Sequence, residues 1–264
     1  MFPLVRPAAK RALAPTSSRR SMSVIQSLLH GSPEAKKTGD YETLQHSRLV
    51  GRGKYVHGFD IHRVKPDKTE QYKAAAEKYY LGVKNDPALG TKLTGNWEVV
   101  VGEQDTFIHI LEFDGYEKIR DLHLTPTHTE AYKEMAPFLT SRSSQLCQEF
   151  AFLPTAPPHA EGGIFELRSY QLKPGTLLEW ENTWRKGIEA RRKFVAPVGA
   201  WFSQVGRLHQ VHHLWQYPSL QVRKELREQA WQIDGWAETV SKTSQLTKFM
   251  DAFVLRPCVF SPLQ

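Results

Sequence analysis

Cysteine is scarce in this chain: Cys147 and Cys258 are the only two among 264 residues. Two thiols build no disulfide framework, so both read as buried structural groups. Long apolar runs are missing as well. No stretch approaches the 18 or so uncharged apolar residues of a membrane-spanning helix, which points to a soluble or peripheral protein. The glycines are scattered, and none forms a G-x-G-x-x-G turn or a P-loop, so the common nucleotide fingerprints are excluded. No G-x-S-x-G elbow suggests a hydrolase nucleophile. Zinc-ligand spacing is absent too. His123 and His128 flank Pro126 and share no helical face, while His209, His212 and His213 lack an acid or thiol at ligand spacing.

Acids are absent from residues 1–33, which carry Arg6, Lys10, Arg11, Arg19 and Arg20 and are rich in Ala, Ser and Pro. That composition is the one organellar transit peptides use. The net charge of +7 is concentrated there, and the rest of the chain holds 30 basic against 28 acidic residues. The basicity therefore belongs to a mitochondrial presequence over 1–33, and nucleic acid is not an expected partner.

What the chain does have is the same unit twice. Lys65-Pro66 closes a strand-like run and opens a helical one, and Lys173-Pro174 repeats this 108 residues later. Gly102 leads into Thr106–Phe113, and Gly206 leads into Gln210–Tyr217, 104 residues on. The spacing predicts strands at 55–64, 97–101 and 106–113, with Glu149–Leu153 closing the first copy. In the second copy it predicts strands at 164–172, 200–205, 210–217 and 252–260. Tyr72, Ala76, Tyr79, Tyr80 and Val83 mark one amphipathic helix, and Leu177, Trp180, Trp184 and Ile188 mark its counterpart. Trp231–Phe249 reads as helical. Asp67 with Glu70, and Thr176 with Glu179, have the spacing of N-terminal caps, and Ser219 that of another.

The order βαββαβ is that of a ferredoxin-like unit. An open four-stranded sheet with helices on one face leaves its other face apolar, and two such sheets in one chain cover each other by packing face to face. The expected fold is therefore α+β: two ferredoxin-like βαββαβ repeats packed as an intramolecular dimeric α/β barrel. The boundaries read as presequence 1–33, linker 34–54, first repeat 55–153, Pro-rich linker 154–163 and second repeat 164–264.

Several long strings resemble the NipSnap family. They are Glu166-Leu167-Arg168-Ser169-Tyr170-Gln171-Leu172-Lys173-Pro174-Gly175-Thr176, Gly199-Ala200-Trp201-Phe202-Ser203-Gln204-Val205-Gly206, Val211-His212-His213-Leu214-Trp215 and the final Ser261-Pro262-Leu263-Gln264. Gly95-Asn96-Trp97 and Gly102-Glu103-Gln104-Asp105 fit in the first copy. The resemblance implies a mitochondrial protein, matrix or membrane-associated, built from dimeric α/β-barrel domains. It implies work in mitochondrial quality control, with autophagy adaptors as protein partners, and no established catalysis. A non-enzymatic protein without a cofactor is accordingly the first reading. A small-molecule or haem-binding barrel enzyme of monooxygenase-like type is the alternative. Peripheral membrane contact and self-association stay open.

The sharpest site candidates are His109 and His213, which hold equivalent positions in the two copies. By strand alternation Phe107 shares a face with His109, and Val211 and Trp215 share one with His213. If that face lines the space between the sheets, the two histidines meet in an aromatic pocket able to shuttle protons or ligate haem; otherwise they are core histidines kept by duplication. Trp180, Trp184, Trp231 and Trp236 read as core or inter-copy packing. Arg185, Lys186, Arg191, Arg192 and Lys193 form a basic run on the helix of the second copy that reads first as a solvated face, with binding to an acidic partner segment or an anionic lipid surface as the alternative.

Overall fold

Gly102 and Gly206 begin two hairpin loops of one shape. Both take a positive φ, of 126° and 95°, and each loop ends in a left-handed residue, Asp105 at 56° and His209 at 59°. The first loop joins β2 (Lys92–Val101) to β3 (Thr106–Asp114), and the second joins β6 (Pro197–Val205) to β7 (Gln210–Tyr217). The computed structural model describes residues 55–195 and 197–264; the expected presequence 1–33 and linker 34–54 lie outside the described residues.

Around these hairpins the described chain forms an α+β fold of eight antiparallel strands and six α-helices. The remaining strands are β1 (Tyr55–Val64), β4 (Leu139–Glu149), β5 (Ile164–Leu172) and β8 (Thr247–Pro257). Helices α1 (Thr69–Lys84), α2 (Tyr116–Leu124) and α3 (Pro126–Met135) belong to the first half. Helices α4 (Leu177–Arg192), α5 (Leu220–Ala230) and α6 (Trp236–Gln245) belong to the second. The strands close into one barrel in the order β1-β3-β2-β8-β5-β7-β6-β4. The two halves do not stack as separate face-to-face sheets, as expected from sequence. They join edge to edge, β2 to β8 through Val99↔Leu255 and β4 to β6 through Cys147↔Ser203. Closure removes the unpaired edges that two open sheets would have kept.

Three apolar layers follow from strand alternation. Phe59, Trp97, Ile108, Ile110, Trp201 and Leu214 fill the barrel interior. Phe107, Leu111 and Phe113 point outward and pack under α1–α3 with Tyr72, Tyr79 and Tyr80. Val211, Trp215 and Tyr217 do the same under α4 with Trp180, Trp184 and Ile188. Strand β3 is apolar on both faces because both are covered. Trp97 and Trp201 fold back inside the barrel over Gly95 and Gly199. A Cβ at Gly199 would lie 2.5 Å from the Trp201 ring, and one at Gly95 would overlap the Trp97 ring. Gly199→Ala is expected to cost about 1–3 kcal/mol through overpacking, read as a lower denaturation midpoint in urea. Leu263 enters the interior cluster, and the Ser261 hydroxyl accepts the Asn96 amide N–H at 3.0 Å. The terminal Ser-Pro-Leu-Gln thus plugs one end.

Several local expectations need correction. The closing strands start earlier than predicted: β4 replaces Glu149–Leu153, and β8 begins at Thr247, so Trp231–Phe249 is not one helix but a turn, α6 and the start of a strand. The first halves of β4 and β8 are exposed, so they carry no apolar alternation to read. Ser219 does cap α5, accepting from the Val222 N–H at 3.2 Å. Thr176 caps nothing; its backbone (φ −99°, ψ 4°) is not extended, as side-chain capping requires, and its hydroxyl donates to the Lys173 carbonyl. Asp67 lies in a short 3-10 turn and does not cap α1.

Candidate functional site

Alternation along β1 places Val56, Gly58, Asp60, His62 and Val64 on the outward face, beneath the helices. Polar groups there are unusual, and a cavity of about 580 Å³ explains their company. It lies between the outer faces of β1 and β4 and helices α1–α3, with Asp60, His62, Tyr79, Tyr132 and Arg142 on its wall. Leu111, Phe113 and Leu122 give it an apolar side. Pro126, at the first turn of α3, breaks α2 from α3 and lets the two helices bend around this space.

Behind the wall runs a chain of short hydrogen bonds. Tyr132 Oη stands 3.5 Å from His62 Nε2, and His62 Nδ1 lies 2.7 Å from Tyr72 Oη. Tyr72 Oη lies 2.7 Å from His109 Nε2, and the Asn96 side-chain amide donates to His109 Nδ1 at 2.6 Å. With Nδ1 of His109 accepting, its Nε2–H donates to Tyr72, whose hydroxyl donates to His62. His62 then turns its remaining N–H toward Tyr132. His109 is also stacked on Tyr80 at 4.2 Å between ring centres, which fixes its plane. Such a chain can pass a proton between the cavity and the core.

The titratable groups are tuned apart. Burial raises the Asp60 carboxyl to about 6, against the opposing pull of the Tyr80 hydroxyl at 3.2 Å and of His123 and Arg142. Burial, with Arg142, lowers His62 to about 4. His109 is pushed well below the usual imidazole range by burial and then by His62. A carboxyl near 6 beside neutral imidazoles suits proton abstraction close to neutral pH.

The residues predicted from sequence land elsewhere than expected. His109 and His213 do share equivalent places, but they do not meet. His109 and Phe107 pack beneath α1 of the first half; Val211, His213 and Trp215 face the helices of the second. The alternation was correctly phased and the face was misjudged, since the interior takes Ile108, Ile110 and Leu214. The joint pocket expected for the pair is not formed: both His109 nitrogens are hydrogen-bonded, and His213 borders a separate cavity of about 100 Å³. Among the described residues no cluster of three His, Cys, Asp or Glu side chains is placed to hold a metal.

The basic run is also split. Arg191 is 3% exposed and points inward, because α4 turns that position toward the sheet. Arg185 and Arg192 pair with Glu181 and Glu189 of their own helix, while Lys186 and Lys193 stand on the surface. Trp180, Trp184 and Trp236 are core residues of the second half, whereas Trp231 is 49% exposed. Sequence reading missed Asp60, His62, Tyr72, Asn96, Tyr132 and Arg142. The available signal was Asp60-x-His62 at outward positions of a strand whose outer face the helices cover.

The same barrel is found in solved structures. A proposed monooxygenase from Lactobacillus acidophilus NCFM matches 78% of this chain and 95% of its own at TM-score 0.59 and 13% identity. An anthrone oxidase-like protein matches 80% and 96% at TM-score 0.57 and 11% identity. These likenesses define the class of fold. They also overturn the first reading of a non-enzymatic protein, because over most of the chain the fold is that of structures named as a monooxygenase and as anthrone oxidase-like.

The NIPSNAP family profile matches residues 165–262. Protein NipSnap homolog 1 of Danio rerio is 36% identical over 226 residues, covering 83% of this chain and 81% of the relative. Protein NipSnap of Drosophila melanogaster is 36% identical over 263 residues, covering 97% and 94%. This chain belongs to the NipSnap family.

Proposed function

We propose that the protein is a small-molecule enzyme of monooxygenase-like type, working in the cavity of its first half. The observation that carries this is Asp60, raised to about 6, beside neutral His62 on the polar wall of a cavity of about 580 Å³ whose other side is apolar. With Leu111, Phe113, Ile119 and Leu122 opposite that wall, the pocket suits a compact molecule with an apolar body and one weakly acidic C–H or O–H. Asp60 is the base that removes the proton. The neutral His62–Tyr72–His109 chain holds the wall's hydrogen-bonding order without adding charge, and Arg142 steadies the anion that proton removal leaves.

An anthrone is a suitable probe. Its methylene becomes a carbonyl, one oxygen atom of O2 enters the product, and the other leaves as water with both methylene hydrogens. The electrons balance without an external reductant. Oxygen uptake by the purified protein with an anthrone is expected to exceed the buffer rate and to fall at least tenfold in His62→Phe. Uptake no faster than in buffer, or unchanged in the variant, rules this reading out.

The barrel itself fits a fused pair of ferredoxin-like repeats, supported by the strand order β4-β1-β3-β2 recurring as β8-β5-β7-β6. We place the protein in the mitochondrion on the acid-free basic stretch 1–33. Protein partners in mitochondrial maintenance fit the same molecule, with Lys186 exposed on α4 and Lys193 exposed just past its end as their contact.

A further inference from the structure

The corresponding space in the second half has the opposite charge. Arg168 pairs with His213 across β5 and β7 as Asp60 pairs with His109 across β1 and β3. Above them, under α4–α6, lies the cavity of about 100 Å³. Three guanidinium groups, those of Arg168, Arg223 and Arg227, lie near a single carboxylate, Glu166, and Arg191 lies near Arg227. That carboxylate is already engaged by Arg168 at 2.9 Å and by Arg223 at 2.6 and 2.8 Å. No Asp or Glu lines the cavity.

The donors around it are left over. Arg191 gives one N–H to the Tyr217 hydroxyl at 2.7 Å and lies 4.2 Å from the Trp215 ring centre, yet its buried Nε has no partner. The Arg227 guanidinium makes no hydrogen bond or ion pair among the described residues, and burial and the neighbouring arginines push it down from the usual guanidinium range. His213 accepts the Trp215 indole N–H on Nδ1 at 2.6 Å, so its buried and unpartnered Nε2 carries a hydrogen. Unpaired buried donors of this kind are costly unless an acceptor arrives.

We propose that this cavity binds the carboxylate head of a small organic acid, held by Arg191, Arg227 and His213. The acid's carbon chain leaves between Trp231 and Met250, which are 49% and 47% exposed where they border the cavity. Tryptophan walls favour a singly charged head with an apolar tail over a free phosphate, whose second charge would be expensive to desolvate here. The site is independent of the first-half cavity and of any reaction there.

Calorimetric titration of the full chain with hexanoate, hexanol and inorganic phosphate tests it. Hexanoate is expected to bind saturably, and Arg227→Gln to weaken it about tenfold or more. Arg191→Gln should weaken it further. If that packed position does not tolerate the change, the half-buried Arg227 still decides. Hexanol binding as tightly as hexanoate, phosphate binding in its place, or undiminished binding by Arg227→Gln would each overturn the assignment.

Discussion

Asp60→Asn is expected to make the protein more stable and nearly inactive. A carboxyl that titrates at about 6 in the fold and near 3.8 when unfolded binds its proton more tightly in the native state. Its contribution is fully present below about pH 4 and is lost as pH rises through 6, so at pH 7 the ionised group costs stability. Asparagine removes that cost while keeping a polar partner for Tyr80, and a gain of about 1–3 kcal/mol at pH 7 follows. Below pH 4 the gain should vanish. Loss of the base is expected to lower turnover by about 10²–10⁴-fold. Wild-type turnover should rise with pH through about 6, as the carboxyl ionises, and this rise should be missing from the residual rate of the variant. Urea denaturation at pH 4 and 7, alongside oxygen uptake, measures both effects. A variant that is less stable at pH 7 and equally active would remove Asp60 from the site.

Acid is expected to unfold this protein unusually early. His62 and His212 titrate near 4 in the fold, and His109 and His213 lower than the usual range, all chiefly because burial disfavours the charged ring. Each binds its proton more readily when unfolded, at about 6.5. Stability is therefore intact above that pH and lost as it falls toward 4. Two and a half pH units are worth about 3 kcal/mol for His62 and again for His212. That pair alone reaches the lower end of the roughly 5–15 kcal/mol that holds a domain folded, and His109 and His213 act in the same direction. Asp60 works in the opposite direction over the same range and is outnumbered. The expected midpoint of acid unfolding, followed by circular dichroism, lies between about pH 4 and 5. His212→Gln should shift it downward, since glutamine can keep bonds to Ser169 and Gln145, now 2.7 and 3.0 Å from the ring nitrogens, without titrating. A fold that persists to pH 3 with all four histidines present would contradict these pKa directions.

The repeated Gly102 and Gly206 turns, the two central strands of each half and the long helices α1 and α4 were legible because local rules fix them. Apolar spacing, turn glycines and strand alternation are all written within a few residues. The starts of β4 and β8 were not, because both run exposed there and show no pattern. The error over His109 and His213 has one physical source. Both faces of a central barrel strand are buried, so Phe107-Ile108-His109-Ile110 shows which residues share a face and leaves open which face is inside. The candidate site was hidden for a related reason. Asp60, His62 and Arg142 sit on strands β1 and β4, Tyr72 and Tyr132 on helices α1 and α3, and Asn96 on β2. Only barrel closure and the bend at Pro126 bring them around one cavity.

Everything proposed for the first-half cavity turns on the raised Asp60 carboxyl. Carbon-13 titration of that side chain, free and with an anthrone bound, is the decisive measurement. A midpoint near 6 is expected in the free protein, moving higher when the ligand displaces water from the wall. A midpoint near 4 that the ligand leaves unmoved would contradict it.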